Sequence, residues 1–322
     1  AARPAGGVAG VCLLWAALSG VVALAAEALP PIAPIVYRSF DASAKESRIY
    51  VKHPSDPAPQ LIHHTPGIIY HVKWSPDGRE IMFNLVPLAG PGGDGDALYT
   101  LRANGLDITR VTPPRGLDAH IQGHTWGPYR GQVTYVTRDD GSGVAWVVDL
   151  ANLDVPRKII GPGGTFHLPP AWSPDRSRIA YAWAAWEGAA IDLWVADADG
   201  TNATRLTQQA RATHPSWSPD GTRVVCVTIL DDPHGELTVI DPTNPEEHIR
   251  LTDNGDGERG AVWLPDGRWI AYLVNRNIHL VTADGKEHHS LDLDVEPHAP
   301  GAFDWYDPTR PVRALGMSPQ QW

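Results

Sequence analysis

The stretch Trp74–Gly78 reads WSPDG, and the same pattern returns along the chain. Strong copies are WSPD at Trp172–Asp175, WSPDG at Trp217–Gly221 and WLPDG at Trp263–Gly267, and weaker copies begin at Trp126 and Trp305. Successive tryptophans stand 52, 46, 45, 46 and 42 residues apart. A period of this length, with short strands between turns, is typical of the blades of a β-propeller.

Each repeat carries four short segments rich in β-branched and aromatic residues, which predict four strands. In the repeat that begins before Trp217, the segments read PSW, RVVCVTI, ELTVID and IRLTD. The Pro-Asp-Gly after the tryptophan predicts a tight turn, because proline presets φ, aspartate caps the turn and glycine accepts a positive φ. The tryptophan offers a large flat surface to the neighbouring blade. One repeat therefore predicts one four-stranded blade.

The two ends of the body together supply one more blade. The last repeat contributes a single strand pattern, FDW at Phe303–Trp305, and three patterns begin at Ile35, Arg48 and Gln60. Joining these four strands closes the ring and removes exposed sheet edges. We therefore predict an all-β protein: a six-bladed β-propeller over residues 35–322, with four-stranded blades and a ring closed by N- and C-terminal strands in one blade.

The first 25 residues carry the features of a signal peptide. Arg3 provides positive charge, Val8–Leu24 is an apolar run, and Ala23–Ala25 fits a cleavage pattern. An uncleaved anchor is the alternative, because the run is close to the shortest length that spans a bilayer. Residues 26–34 are predicted to form a Pro-rich linker. The predicted location is the periplasm or another part of the cell envelope, or outside the cell, with no membrane span in the mature body.

The charge of the chain argues against two classes of partner. It has 37 acidic and 26 basic residues, for a formal net charge of −11. No basic patch is visible, so nucleic acid is not predicted as a partner. An acidic surface also disfavours adhesion to anionic lipid.

Cys226 stands in the strand pattern RVVCVT and is predicted to be a buried thiol.

The stronger repeats resemble the propeller repeat of the TolB-like proteins. The resemblance rests on P-x-W-S-P-D-G, on D-x-D-G, and on the segments RLT at Arg205–Thr207 and Arg250–Thr252 and RVT at Arg110–Thr112. It covers about Pro34–Trp305. The same repeat occurs in the periplasmic TolB protein, in the propellers of prolyl oligopeptidase-class serine peptidases and in oligogalacturonate lyases. The resemblance therefore implies the fold and leaves several functions open.

Motifs of common catalytic classes are missing from the sequence. It contains no G-x-S-x-G, no H-E-x-x-H and no C-x-x-C. The glycine-rich stretches Gly90–Asp96 and Gly161–Gly164 lack the G-K-[ST] of a phosphate loop and are predicted to be connections between strands. Asp253–Glu258 (DNGDGE) departs from the EF-hand spacing at its third position, so we interpret it as a polar loop between blades, with a calcium contact as the alternative.

Histidines stand shortly before several repeat tryptophans, in or near the predicted innermost strands that line the channel. Side chains from different blades can converge there on a metal or an anionic ligand. The predicted ligand-binding residues at the channel mouth are His71, His167, Arg259 and His298. The predicted metal ligands, matched by residue type and blade position to the oligogalacturonate lyases, are His120, Gln122, His124 and His214. The alternative is that these histidines cap strands and bind backbone or channel water.

Two functions follow from this interpretation. The first is an exported, non-catalytic scaffold that binds a protein or peptide partner on its rim or at the channel mouth. The second is a metal-dependent lyase of the oligogalacturonate type, which would act on an acidic saccharide with one divalent metal ion in the channel. In that case Arg259 is the predicted basic residue near the substrate acid.

Overall fold

The repeated turn is closed by its own serine and aspartate side chains. In the computed structural model of the chain, Ser75 Oγ donates to Asp77 Oδ1 at 2.7 Å and accepts from the N–H of Glu80 at 2.9 Å. The turns after Trp172 and Trp217 repeat both bonds. These bonds satisfy the backbone where the first strand of a blade passes into the second.

The structure describes residues 34–53, 56–88, 96–112, 120–127, 131–139, 142–159, 165–166, 168, 170–185, 189–208, 211–229, 234–275, 277–291 and 303–305. The chain divides into two units, Ala1–Pro31 and Ile32–Trp322, and all described residues lie in the second. Among them, no helix is long and apolar enough to cross a membrane. The predicted signal peptide lies outside these ranges, and so does the predicted linker except for its last residue, Pro34.

The described residues form strands in six antiparallel sheets, each of which is one blade. The N-terminal strands of blade six are β1 (Ile35–Asp41), β2 (Glu46–Lys52) and β3 (Gln60–Pro66). Blade one contains β4 (Ile68–Trp74), β5 (Glu80–Val86), β6 (Ala97–Arg102) and β7 (Thr109–Arg110). Blade two contains β8 (His120–Trp126), β9 (Gln132–Asp139), β10 (Ser142–Asp149) and β11 (Asn152–Lys158).

The remaining blades keep the same order from the inside outwards. In blade three the innermost position is divided between β12 (Thr165–Phe166) and β13 (Ala171–Trp172), which both pair with β14 (Arg178–Ala184). The outer strands of this blade are β15 (Asp192–Asp197) and β16 (Thr204–Arg205). Blade four contains β17 (Thr213–Trp217), β18 (Val224–Thr228), β19 (Glu236–Ile240) and β20 (His248–Arg250). Blade five contains β21 (Arg259–Trp263), β22 (Trp269–Val274), β23 (Asn277–Thr282) and β24 (His288–Ser290).

Blade six is completed by the C-terminal strand β25 (Phe303–Trp305). It pairs with β1 in the register Ile35↔Trp305 and Tyr37↔Phe303, so the ring closes with one C-terminal and three N-terminal strands. The prediction of six blades with this closure is confirmed.

The core lies between neighbouring blades, and the repeat tryptophans of blades two, three and four each bond to the blade before their own. Trp126 Nε1 donates to the carbonyl oxygen of Lys73 at 3.2 Å, and Trp217 Nε1 donates to that of Ala171 at 3.0 Å. Both acceptors directly precede the tryptophan of the previous blade. Cys226 is fully buried in the core, as predicted, and this burial raises the pKa of its thiol to about 12.

Candidate functional site

The innermost strands surround a cavity of about 230 Å³ on the axis of the ring. Most of its wall is aromatic and apolar. The repeat tryptophans of five blades line it, namely Trp74, Trp126, Trp172, Trp217 and Trp263. Prolines from the inner strands and turns also line it, namely Pro170, Pro174, Pro215, Pro219 and Pro265. A concave, preformed and mostly apolar surface of this kind is typical of ligand sites.

β-Bulges aim two histidines at the cavity. His71 has φ 47° and His214 has φ 56°, and each stands three residues before the tryptophan of its strand. The pairing of β4 and of β17 shifts register at these positions. In β21 the same position is Gly260, with φ 63°. A bulge re-aims a side chain next to a site, and a positive φ at a non-glycine residue is a strained conformation.

His124 reaches the same cavity wall from blade two. Its ring lies 5.9 Å from that of His71, edge to face. Its Nε2 donates to the carbonyl oxygen of Met82 at 3.3 Å, so Nδ1 carries the lone pair, and no described residue donates to it. His214 bonds Thr213 Oγ1 through Nδ1 at 3.0 Å, and its Nε2 likewise has no partner in the described chain.

All three imidazoles are neutral at pH 7. Burial, and then the neighbouring His124 and Lys73, hold the pKa of His71 well below its ordinary value. Burial lowers the pKa of His124 to about 3, against a smaller opposing effect of its backbone hydrogen bond. Burial lowers the pKa of His214 to about 4, and the positive charges of Lys73 and Arg259 add to this effect. The histidines therefore present lone pairs rather than positive charge.

One ion pair lies in the cavity wall, and sequence reasoning missed it. Lys73 Nζ lies 3.4 Å from Asp304 Oδ1, and their side chains are 23% and 15% exposed. Asp304 Oδ2 also accepts the backbone N–H of Trp74 at 2.9 Å. The signal was available, because both residues directly precede a repeat tryptophan. Thr125, Ala171, Ser216 and Val262 hold the same position in the other blades and also line the cavity.

The other predicted site residues are placed differently. Arg259 is exposed at the start of β21, close enough to His214 to lower its pKa. The backbone of His120 and Gln122 lies in β8, where the register shifts between Ile121 and Gly123, but their side chains lie outside the described set. His167 and His298 lie outside the described ranges.

The described side chains of the channel do not complete a metal site. No three His, Cys, Asp or Glu residues among them are grouped so as to hold a metal ion. Two imidazole nitrogens, His124 Nδ1 and His214 Nε2, are unpartnered in the described structure. The predicted metal site of His120, Gln122, His124 and His214 therefore stays a prediction.

Six antiparallel blades around an axial channel define the chain as a six-bladed β-propeller. The sequence model of the TolB beta propeller domain family (PD40) matches residues 120–288, which is more than half of the chain. The chain belongs to this family.

Solved structures share the fold at low sequence identity. The TolB structure from Acinetobacter baumannii matches with a TM-score of 0.63 and 14% identity over 82% of this chain and 65% of that one. The putative TolB from Agrobacterium tumefaciens matches with a TM-score of 0.61 and 18% identity, over 85% of this chain and 97% of that one. The hydrazine synthase of Kuenenia stuttgartiensis matches with a TM-score of 0.63 and 12% identity, over 87% of this chain and 48% of that one. This chain thus spans just under two thirds of the Acinetobacter protein, and these likenesses show the fold alone.

Proposed function

We propose that this chain is an exported, non-catalytic scaffold that binds a protein or peptide segment at the mouth of its central channel, in the periplasm or another part of the cell envelope. The observation that carries the proposal is the axial cavity of about 230 Å³ and its frame of repeat tryptophans and prolines. The leader pattern of residues 1–25 supports export.

The chemistry of the wall suits a peptide segment. Rigid aromatic and proline surfaces bury an apolar side chain with little loss of conformational freedom. The Lys73–Asp304 ion pair adds one donor group and one acceptor group to this wall. The closed ring holds these groups in place without a partner present, which favours binding through preorganisation.

The histidines support a binding role more than a catalytic one. A general base works best when its pKa lies near the working pH. The pKa of His124 is about 3 and that of His214 is about 4, because both rings are desolvated. Such groups are too weakly basic to take a proton efficiently at neutral pH, but they accept hydrogen bonds well.

A metal-dependent lyase of an acidic saccharide is the second candidate. One observation favours it: His124 and His214 line one cavity, and each has a ring nitrogen without a partner in the described chain. Metal analysis of the purified wild type and of a His124→Ala variant separates the two functions. The lyase contains a divalent ion that His124→Ala removes, whereas in a scaffold the change leaves the metal content as it was.

Filling the channel tests the scaffold. Thr125→Trp places a large ring in the cavity wall of blade two, and Val155→Trp places the same ring on the outer strand β11, where Val155 is 68% exposed. Tagged wild type and both variants are used to capture partners from native envelope fractions. We expect a partner held by wild type and Val155→Trp to be lost from Thr125→Trp. Equal capture by all three proteins would remove the channel from the proposal.

Export is tested separately, by fractionating cells that make the full chain and measuring the mass of the mature N-terminus. Cleavage after about Ala25 is expected. A chain that stays in the cytoplasm contradicts the proposed location but not the channel site.

A further inference from the structure

A buried carboxylate recurs at the start of the third strand of a blade, where the R-L-T segment meets it. In blade three, Arg205 Nη2 donates to Asp192 Oδ2, and Thr207 Oγ1 donates to Asp192 Oδ1 at 3.0 Å. Arg205 Nε also donates to the carbonyl oxygen of Thr207 at 2.7 Å. Both oxygens of this buried acid therefore have donors, which offsets the cost of removing its charge from water.

Blade four repeats the arrangement with a glutamate and leaves it incomplete. Arg250 Nε donates to the carbonyl oxygen of Thr252 at 2.9 Å, as in blade three. Arg250 Nη2 lies 3.4 Å from Glu236 Oε1 and only 2.8 Å from Asp253 Oδ1, so it is shared between two acids. Gly255 N–H donates to Glu236 Oε1 at 3.2 Å. Glu236 Oε2 has no hydrogen-bond partner in the described part of the chain.

A second carboxylate is buried beside Glu236. Glu258 is 2% exposed and Glu236 is 3% exposed. The backbone N–H of Glu258 donates to the carbonyl oxygen of Gly235 at 3.2 Å, which brings the two glutamates together. Asn254 and Thr252 lie close enough to Glu258 to stabilise its charge, but neither carboxylate oxygen makes a well-formed hydrogen bond within the described chain. Among the described residues, three of the four carboxylate oxygens of this pair are therefore buried without a well-formed hydrogen bond.

The electrostatics agree with a concentration of negative charge between blades four and five. Burial raises the pKa of Glu258, and the charge of Glu236 raises it further, while nearby Asn254 and Thr252 oppose this only partly. Burial, followed by the charges of Glu258 and Asp256, raises the pKa of Tyr272 to about 12. Arg250 is the basic side chain that contacts Glu236, and it is already paired with Asp253.

We propose that Glu236 and Glu258 hold a calcium ion between blades four and five, where the segment Asp253–Glu258 connects them. A hard divalent cation satisfies buried carboxylate oxygens that lack donors, and calcium accepts carboxylates in mono- or bidentate form with irregular geometry. None of these residues lines the central cavity, so the site is separate from the channel and does not rest on the proposed function.

Thermal unfolding of the mature chain in EDTA, in 1 mM CaCl2 and in 1 mM MgCl2 tests the site. A ligand that binds only the folded state raises its Tm, and we expect calcium to raise it by roughly 3–8 °C. Magnesium should raise the Tm less, because it demands near-octahedral geometry. Isothermal titration with CaCl2 should give one ion per chain at this site.

Two variants and a matched control locate the effect. Glu258→Gln and Glu236→Gln should each remove the calcium-dependent rise, and Glu258→Gln in EDTA should unfold at or above the wild-type Tm, because an unpaired buried charge is gone. Asp192→Asn in blade three should keep the calcium response. A wild-type Tm that calcium does not change overturns the proposal, and so does a calcium response that survives in both glutamate variants.

Discussion

The carboxylate of Asp304 accepts the backbone N–H of Trp74 at 2.9 Å, which ties the last strand of the propeller to its first blade. The two residues are 230 positions apart in the sequence. The other oxygen of Asp304 pairs with Lys73. The side chain that helps to close the ring therefore also forms part of the channel wall, so closure and site depend on the same residue.

Asp304→Ala removes both bonds and should lower the free energy of unfolding by about 2–3 kcal/mol, because a buried N–H and a partly buried ammonium lose their partner. Asp304→Asn keeps an oxygen for Trp74 and should cost roughly 1 kcal/mol. Urea unfolding measures both. Glu287→Gln breaks the exposed pair with Arg268 and is the control, expected to cost under about 0.5 kcal/mol. Equal losses for Asp304→Ala and the control would contradict a closing role.

Two glycines in equivalent turns separate backbone strain from steric clash. Gly105 has φ +83° and a Cβ there would clash with the carbonyl oxygen of Ile62, whereas Gly285 has φ +75° and the nearest neighbour of its Cβ would lie at 3.5 Å. Gly285→Ala should cost about 1 kcal/mol through strain alone. Gly105→Ala should cost at least about 1–2 kcal/mol more, because the contact between blades six and one must open. Similar urea midpoints for the two variants would refute this difference.

The channel histidines predict acid sensitivity. Their folded-state pKa values lie below the unfolded value of about 6.5, so below that pH the unfolded chain binds more protons. Their stabilising contribution is complete above about pH 6.5 and is lost as the pH falls towards the folded values, by about 1.4 kcal/mol per pH unit for each ring. His124→Gln should reduce the slope of unfolding free energy against pH by the contribution of about one proton.

Urea midpoints at pH 7.5, 6.5, 5.5 and 4.5 measure that slope. His248→Gln, on the exposed outer strand β20, is the matched control. A slope that is the same in His124→Gln as in wild type would show that His124 is not the group that takes up the proton.

The R-L-T segment predicts a difference between arginine and lysine. Arg205 bonds both Asp192 and the carbonyl oxygen of Thr207, which needs the fork of a guanidinium. Arg205→Lys should therefore cost about 1–2 kcal/mol, since the buried Asp192 keeps only part of its hydrogen bonding. Arg211→Lys, at an exposed position nearby in sequence, should change stability by under about 0.5 kcal/mol. A loss no larger for Arg205→Lys than for Arg211→Lys would reject the role of the fork.

Much of the fold was predictable because each repeat carries its own turn chemistry. Ser75 and Asp77 form their turn bonds with atoms only a few residues away, so the five-residue pattern WSPDG was enough to predict the turn. The placement of histidines in the channel was also predicted from their position before the tryptophans, and His71, His124 and His214 do line the cavity. Their role as ligands remains a prediction. The Lys73–Asp304 pair was missed although both residues directly precede a repeat tryptophan, because the pair joins residues that are far apart in sequence.

The amino-acid sequence by itself determined six blades, four strands in each and the joining of the two ends, because strand alternation and turn formation depend on neighbours along the chain. Only the tertiary structure decided which side chains share a space. The bulges at His71 and His214 turn their rings toward the axis, the Lys73–Asp304 pair spans most of the chain, and Glu236 and Glu258 are buried together by the packing of two blades. These outcomes depend on distances and desolvation between segments that are remote in sequence, and a local pattern does not encode them.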